Sequence, residues 1–257
     1  MRGLGPALFL LAAALAAPGL ACDYPGGPPD AQEVRAEGDG VTWAYFSNAT
    51  EVYGHGVLGD AIEARALRAE TPLTGPCESM AYLDEMSVFE DVTPRIADVT
   101  GDGLNDVVVI ETRMDAGASL AVYGMADGKF VKIAATPYIG RSYRWLAPAG
   151  IADFNRDGVK DVAYVETPHI GGILRIWSFK GGIARELASE PGYSNHRIGQ
   201  NFITGGVRDC GRGPELVLPD AGWRQTRLAW LYGDVIEGAV LAEDAEPETI
   251  EKALECP

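Results

Sequence analysis

The chain has 257 residues and a formal net charge of −16, with 37 Asp and Glu side chains against 21 Lys and Arg. This excess of acid excludes nucleic acid and anionic lipid as favoured partners, because both are negatively charged. Apolar residues make up 47% and charged residues 23%, which is the composition of a folded globular protein rather than a disordered one. The 32 Gly and 16 Pro residues favour short strands joined by turns over long helices.

Residues 1–21 are predicted to be a secretory signal peptide. Arg2 is followed by an apolar run over 8–17, and small residues precede Cys22. The run is too short to span a bilayer as a stable helix, and no later stretch is longer. We therefore expect an exported protein, periplasmic or secreted, with no transmembrane segment. The alternative is a lipoprotein with lipid on Cys22, although Gly19 stands where a lipobox usually has Leu.

The four cysteines form an even set, which in an oxidising compartment predicts two disulfides. Four cysteines allow three pairings. We predict Cys22–Cys77 and Cys210–Cys256, each tying a tail to a nearby repeat. The main rival pairing, Cys22–Cys256, would join the two ends.

Internal repeats organise the rest of the chain. Residues 96–107 and 151–162 align without gaps, and each segment continues into apolar runs separated by Gly-containing turns. Two less regular copies flank them. We therefore predict one domain over 22–257, with four repeats at approximately 33–70, 95–135, 150–190 and 203–242 and a C-terminal helical tail at 247–257.

Each clear repeat predicts three strands after its loop. The first strand is apolar on both faces, as in Val107–Ile110, which is typical of a strand packed between neighbouring sheets. A period of about 50 residues with several strands predicts an all-β, propeller-like array of about four antiparallel blades. The ring is either a four-bladed propeller or an open arc of four blades, and an open arc would be completed by another chain, giving a homo-oligomer. Two short helices are expected, one near Cys77–Glu85 and one at Glu248–Glu255.

The loops of the two clear repeats carry oxygen-bearing side chains at alternate positions. Ca²⁺ prefers six to eight oxygen ligands, and position 7 of such a loop uses its backbone carbonyl, so its side chain is free to vary. Glycine at position 6, Gly103 or Gly158, permits the sharp turn. Position 12 is Val109 or Tyr164 rather than a carboxylate, which argues against an EF-hand. The predicted ligands, at positions 1, 3, 5, 7 and 9, are Asp98, Thr100, Asp102, Leu104 and Asp106 in one loop and Asp153, Asn155, Asp157, Val159 and Asp161 in the other.

These nine-residue loops that run into a strand resemble the FG-GAP/VCBS repeats of integrin-alpha-type β-propellers. The resemblance is specific at residues 96–110 and 151–165. It implies Ca²⁺ bound between the first two strands of a blade, and hence about two Ca²⁺ ions per chain. The alternative is a pair of acidic turns without an ion. The less regular fourth loop, with Asp209 and Glu215, lacks carboxylates at positions 1 and 5, so we expect no ion there.

The remaining side chains do not select a catalytic site. No nucleophile elbow, phosphate-binding loop or metal-binding His pair is present in the sequence, and the three His residues are read as surface or turn residues. Four aromatic residues fall in connections and are candidates for an exposed ligand-binding rim: Tyr143, Trp145, Tyr193 and Trp223. We therefore expect a calcium-binding module or scaffold for protein or glycan rather than an enzyme. The alternatives are a polysaccharide-active enzyme (hydrolase or lyase) and a purely structural envelope protein.

Overall fold

The computed structural model of this protein describes residues 26–73 and 79–256, and β-strands dominate it. The predicted signal peptide and the predicted Cys22–Cys77 disulfide lie outside the described residues. The expectation of an all-β protein is confirmed, since the described ranges contain seventeen strands, one α-helix and one 3₁₀ turn at Lys180–Gly182. No helix in these ranges is both long enough and apolar enough to cross a bilayer.

The strands follow one another in short antiparallel steps. The first nine are β1 (Val34–Arg35), β2 (Trp43–Thr50), β3 (Glu63–Glu70), β4 (Met80–Tyr82), β5 (Ser87–Phe89), β6 (Arg95–Ala97), β7 (Asp106–Arg113), β8 (Gly117–Ala126) and β9 (Lys129–Ala135). The other eight are β10 (Leu146–Ala152), β11 (Asp161–Glu166), β12 (Ile173–Ser178), β13 (Arg185–Pro191), β14 (Gly206–Asp209), β15 (Pro214–Pro219), β16 (Thr226–Tyr232) and β17 (Val235–Ala242). The helix α1 spans Pro247–Leu254.

The strands form three sheets. The third and fourth repeats each coincide with one four-stranded meander, β10-β11-β12-β13 and β14-β15-β16-β17. The first two repeats instead share a nine-stranded sheet, β1-β2-β3-β5-β7-β8-β9, with β4 on β3 and β6 on β7. The strand β5 joins the two halves of this sheet, because Phe89 pairs with Ala64 on one side and with Glu111 on the other.

The core lies between the sheets, as the apolar character of both faces of β7 predicts. Val108 and Ile110 pack in the cluster that contains Trp145 and Phe179, whereas Val107 and Val109 pack in the cluster that contains Phe46. All four β7 side chains are 0% exposed. Successive residues of a strand point to opposite faces, so a strand buried on both faces needs apolar residues throughout.

The helix predicted near residues 77–85 is not present in its described part. Met80–Tyr82 forms β4, which pairs with β3 through Arg68↔Met80 and Leu67↔Ala81. Local propensity favours a helix here, but β3 offers unpaired backbone groups that a neighbouring strand satisfies, so tertiary context overrides the local preference.

The C-terminal helix occurs where the sequence predicts it, with Pro247 in its first turn. Its buried residues Ile250 and Ala253 pack against Val217 and Leu228 of the last sheet.

Two further contacts hold the C-terminal segment in place. The predicted Cys210–Cys256 disulfide is confirmed, and this bond excludes the rival Cys22–Cys256 pairing. The buried Arg208 donates to the carbonyl of Ala253 at 2.5 Å, and its Nε lies 3.0 Å from Glu215 Oε2. The helix is therefore tied to β14 by a buried, charged hydrogen-bond donor, and a disulfide joins the residues that follow each of these two elements.

Candidate functional site

The two predicted calcium loops are built by similar hydrogen bonds. Asp98 accepts from the backbone N–H groups of Gly101 at 2.6 Å and Gly103 at 3.0 Å. Asp153 accepts from Asp157 and Gly158, both at 2.9 Å. The carboxylate at position 1 therefore closes each loop on itself, as Asp side chains do in turns.

The carboxylates at position 9 are buried. Asp106 opens β7 and accepts from the N–H groups of Val99 at 3.1 Å and Thr100 at 3.0 Å, whereas Asp161 opens β11 and accepts from Asn155 at 3.2 Å. Burial raises the pKa of Asp106 and of Asp161 to about 6 each. The second oxygen of Asp161, Oδ1, is buried without a hydrogen-bond partner. A buried carboxylate oxygen without a partner is costly, because water no longer solvates it.

The remaining predicted ligands face their own loops. Asp102 accepts from Leu104 N–H at 2.8 Å, and Asp157 accepts from Val159 N–H at 3.0 Å. Asn155 accepts from Asp157 N–H at 2.9 Å. Within residues 26–73 and 79–256, no group of three or more His, Cys, Asp and Glu side chains is arranged to hold a metal ion. The carboxylates thus stand in the expected loops, and each accepts at least one backbone N–H group, while Oδ1 of Asp161 has no partner.

The two loops are neighbours in space. A Cβ atom on Gly101 would lie 2.7 Å from a methyl carbon of Val159, so only glycine allows this approach. The 3₁₀ turn at Lys180–Gly182 contacts both loops. Gly181 donates to the carbonyl of Thr100 at 2.8 Å, and Lys180 Nζ lies 3.3 Å from Asp157 Oδ2. The Lys180 ammonium therefore supplies positive charge beside the second loop.

In the fourth loop, the carboxylate at position 9 is neutralised in a different way. Asp209 accepts from Gly211 at 2.8 Å and Gly213 at 3.1 Å, so the turn itself is kept. Glu215, at position 9, is paired with Arg208 and with Arg212, each at 3.0 Å. Two guanidinium groups therefore neutralise the carboxylate that corresponds to Asp106 and Asp161.

The four aromatic residues expected on an exposed rim do not form one. Trp145 is 2% exposed and Tyr193 is 1% exposed, so both belong to the core. Trp223 is partly buried, with the Arg197 guanidinium 4.2 Å from its ring centroid. Tyr143 is the exposed member of the set, and it stacks on Tyr53 with ring centroids 5.1 Å apart. The sequence places these residues in connections between strands. The connections pack against the sheets, so residues within them can be buried.

The reading of the histidines as surface or turn residues fits His55 and His169, which lie in turns, and is corrected for His196. His196 is 0% exposed, and its Nδ1 lies 2.9 Å from Nε2 of His169. Burial lowers the pKa of His169 to about 4 and also lowers the pKa of His196, so both rings are neutral at pH 7. The third, His55, lies 2.5 Å from the buried Glu90. No spacing in the sequence signals this cluster, because its members come from three separate loops.

A comparison of the chain with known protein families finds a match in the region of the two loops. Residues 98–164 match the family described as FG-GAP-like repeat, a span that begins at Asp98 and ends within β11. It therefore includes both predicted calcium loops. A search of curated proteins found no match to the chain. Residues 98–164 of this chain are thus similar to the FG-GAP-like repeats.

Proposed function

We propose that this protein is an exported, calcium-binding repeat protein that acts as a binding module or scaffold for protein or glycan partners. The single observation that carries the calcium assignment is the duplicated loop with a buried carboxylate at position 9. In the second loop that carboxylate, Asp161, keeps one oxygen without a hydrogen-bond partner. A bound cation would supply the partner that this oxygen lacks.

The donor set suits a hard cation. Each loop offers three carboxylates, one neutral oxygen ligand (Thr100 or Asn155) and one backbone carbonyl at position 7, of Leu104 or Val159. Carboxylate, amide, hydroxyl and carbonyl oxygens are the ligands that Ca²⁺ takes. A carboxylate oxygen that accepts one N–H group keeps a second lone pair for a metal ion. The bound ion would neutralise the acidic side chains and hold each loop against the strand that follows it.

The contrast with the fourth loop supports the same assignment. There the acid at position 9 is neutralised by Arg208 and Arg212, and the loop has no need of an ion. Neither Asp106 nor Asp161 has an arginine or lysine partner among its hydrogen bonds or ion pairs in the described residues.

Calcium titration of the mature protein, with thermal unfolding, tests this proposal. We expect two Ca²⁺ per chain. At a free calcium concentration ten times Kd, each site adds RT ln 11, about 1.4 kcal/mol, to the free energy of unfolding. The melting temperature should therefore fall by several degrees in chelator.

Two matched Asp→Asn variants separate the loops. Asp157→Asn keeps the acceptor for Val159 N–H but removes the charge, so we expect the loss of one Ca²⁺ and of about half the calcium response. Asp209→Asn makes the same change in the fourth loop and keeps the oxygen that accepts from Gly211 and Gly213, so its calcium response should equal that of the wild type. Absence of any calcium effect on wild-type melting, or an equal effect of both substitutions, would show that the loops are acidic turns without an ion.

The binding role requires its own assay. Immobilised mature protein is presented with a glycan array and with extracts of its own envelope, in calcium and in chelator. A calcium-dependent partner that Asp157→Asn loses supports the binding module. Turnover of a polysaccharide by the purified protein would favour an enzyme instead.

A further inference from the structure

A small cavity lies beyond the end of β11 that is opposite to the second predicted calcium loop. β11 begins at Asp161 of that loop and ends at Glu166, and the turn after it forms one wall of the cavity. The cavity has a volume of about 270 Å³. Its walls come from separate loops, which contribute His55, residues 143–145, residues 167–170 and Ile198. The site is therefore distinct from the calcium loops.

Apolar side chains line much of this cavity. Trp145 is 2% exposed, and its Nε1 donates to the carbonyl of Glu90 at 2.9 Å, which fixes the ring. Tyr143, Ile170 and Ile198 line the cavity as well, but they are 52%, 61% and 72% exposed. Single exposed apolar side chains are common on soluble proteins, whereas a contiguous exposed apolar patch marks an interaction site.

The walls of the cavity are held in place by the chain itself. The N–H group of Tyr143 donates to the hydroxyl of Tyr53 at 2.8 Å, and Oγ1 of Thr167 donates to the carbonyl of Ile170 at 3.0 Å. Tyr143 has φ of 54° and Thr167 has φ of 48°, and such strain clusters at functional sites. A partner that binds here does not have to order these loops, so less binding energy is lost.

One wall of the cavity carries a positive charge without a carboxylate. Arg144 is half-buried, and its Nη1 donates to the carbonyl of Tyr143 at 2.7 Å. In the part of the chain that the structure describes, no Asp or Glu forms an ion pair with Arg144. The nearby Glu90 is bonded to Nδ1 of His55 and does not line the cavity. The Arg144 guanidinium is therefore available to a carboxylate of another molecule.

We propose that this cavity receives a bulky apolar side chain of a protein partner, and that an acidic residue beside that side chain pairs with Arg144. The inference rests on the proposed role as a binding module, and it assigns the site and the chemistry of the partner. Sites for drug-sized ligands have volumes of about 300–1,000 Å³, so a cavity of about 270 Å³ suits one anchoring side chain. The exposed side chains of Ile170 and Ile198 extend the contact around the anchor, as in protein interfaces.

The probe for this site is a phage-displayed library of random heptapeptides, panned on immobilised mature protein. We expect the enriched peptides to carry Leu, Phe or Trp next to Asp or Glu. The affinity of a synthetic enriched peptide is then measured by calorimetry. Ile198→Ser and Arg144→Gln should each weaken its binding by about tenfold or more.

Two variants away from the cavity are matched controls. Ile183 is 70% exposed and follows the 3₁₀ turn beside the calcium loops, and Arg185 is exposed on β13. Ile183→Ser and Arg185→Gln should leave the affinity for the peptide unchanged.

A neutral peptide tests the charge pair on the wild-type protein, which keeps the test decisive if Arg144→Gln fails to fold. Replacing the acidic residue of the peptide by its amide should weaken binding as much as Arg144→Gln does. The two changes together should cause no further loss, because both remove the same ion pair.

Three results would overturn the proposal: no enriched peptide with the apolar and acidic pair, unchanged affinity in Ile198→Ser, or equal losses in the control variants. Competition by 3-phenylpropionate at the concentration of the peptide would also overturn it, because the cavity would then be a site for a small carboxylic acid. Capture of an envelope partner that Ile198→Ser and Arg144→Gln leave unchanged would refute this site and leave the binding module standing.

Discussion

Replacing Glu63 by Gln removes a carboxyl group that the fold holds mainly in its protonated form. Glu63 begins β3 and is 4% exposed. Burial raises its pKa to about 9, and the neighbouring charges of Glu90, Asp60, Asp30 and Asp91 add to the effect. Gln has nearly the same shape as protonated Glu, so the substitution keeps the packing and removes the titration.

The sign and the magnitude of this effect on stability follow from the linkage between proton binding and folding. The pKa of Glu63 is about 9 in the folded protein against 4.5 for a free side chain, so the folded state binds the extra proton between these values. The free energy of unfolding therefore falls as pH rises from about 4.5 to about 9. At pH 7 the loss relative to pH 4.5 is on the order of 3 kcal/mol, taking about 1.4 kcal/mol for each pH unit.

The assay is urea unfolding followed by tryptophan fluorescence at pH 5, 7 and 8.5, at constant ionic strength. We expect Glu63→Gln to match the wild type near pH 5 and to be more stable by an increasing margin at pH 7 and 8.5. Glu251→Gln, on the exposed face of α1, is the matched control and should follow the wild type at every pH. A stability difference for Glu63→Gln that is constant across pH, or that becomes more destabilising as pH rises, would refute the reasoning.

Two further predictions concern the C-terminal disulfide and one glycine. Replacing both Cys210 and Cys256 by Ser opens a loop with a sequence separation of 46, which should lower the free energy of unfolding by roughly 4 kcal/mol in urea titration; a loss below 1 kcal/mol would contradict this estimate. Gly172→Ala should destabilise the protein more than Gly171→Ala in the same assay. Both glycines have positive φ, so they differ in their surroundings. A Cβ on Gly172 would lie 1.8 Å from the carbonyl oxygen of Tyr193, whereas a Cβ on Gly171 meets nothing within 4 Å. Equal destabilisation by the two alanines would show that the backbone at Tyr193 moves to make room for the added methyl group.

Local features of the sequence were sufficient to predict an element when its main signal lies within one stretch of the chain. The strand at β7 follows from its own apolar residues, and the loops at 98–106 and 153–161 follow from alternate acids with a glycine at position 6. Helix α1 follows from Pro247 and the helix-forming residues after it. In the loops and the helix the defining hydrogen bonds are made within a few residues, so composition and spacing predict them, whereas β7 pairs with β5, β6 and β8 and is predicted by its own apolar character.

Sequence reasoning failed where a partner distant in the chain decides the outcome. The segment at Met80–Tyr82 became a strand because β3 presents backbone groups to pair with it. Trp145 became a core residue because its Nε1 reaches the carbonyl of Glu90, 55 positions earlier in the chain, at 2.9 Å. Neither partner can be read from the local sequence.

The sequence by itself determined the all-β character, the repeat period and the two acidic loops, because periodicity and loop spacing are local properties, whereas the structure decided between the possible cysteine pairings. Only the tertiary structure decided that the first two repeats share one sheet through β5. It also decided that His55 meets Glu90 and that His169 meets His196, since each pair joins loops that lie far apart along the chain. The physical reason is the same throughout: a hydrogen bond or packing contact between distant segments depends on how the sheets are placed, and that placement is a property of the whole chain.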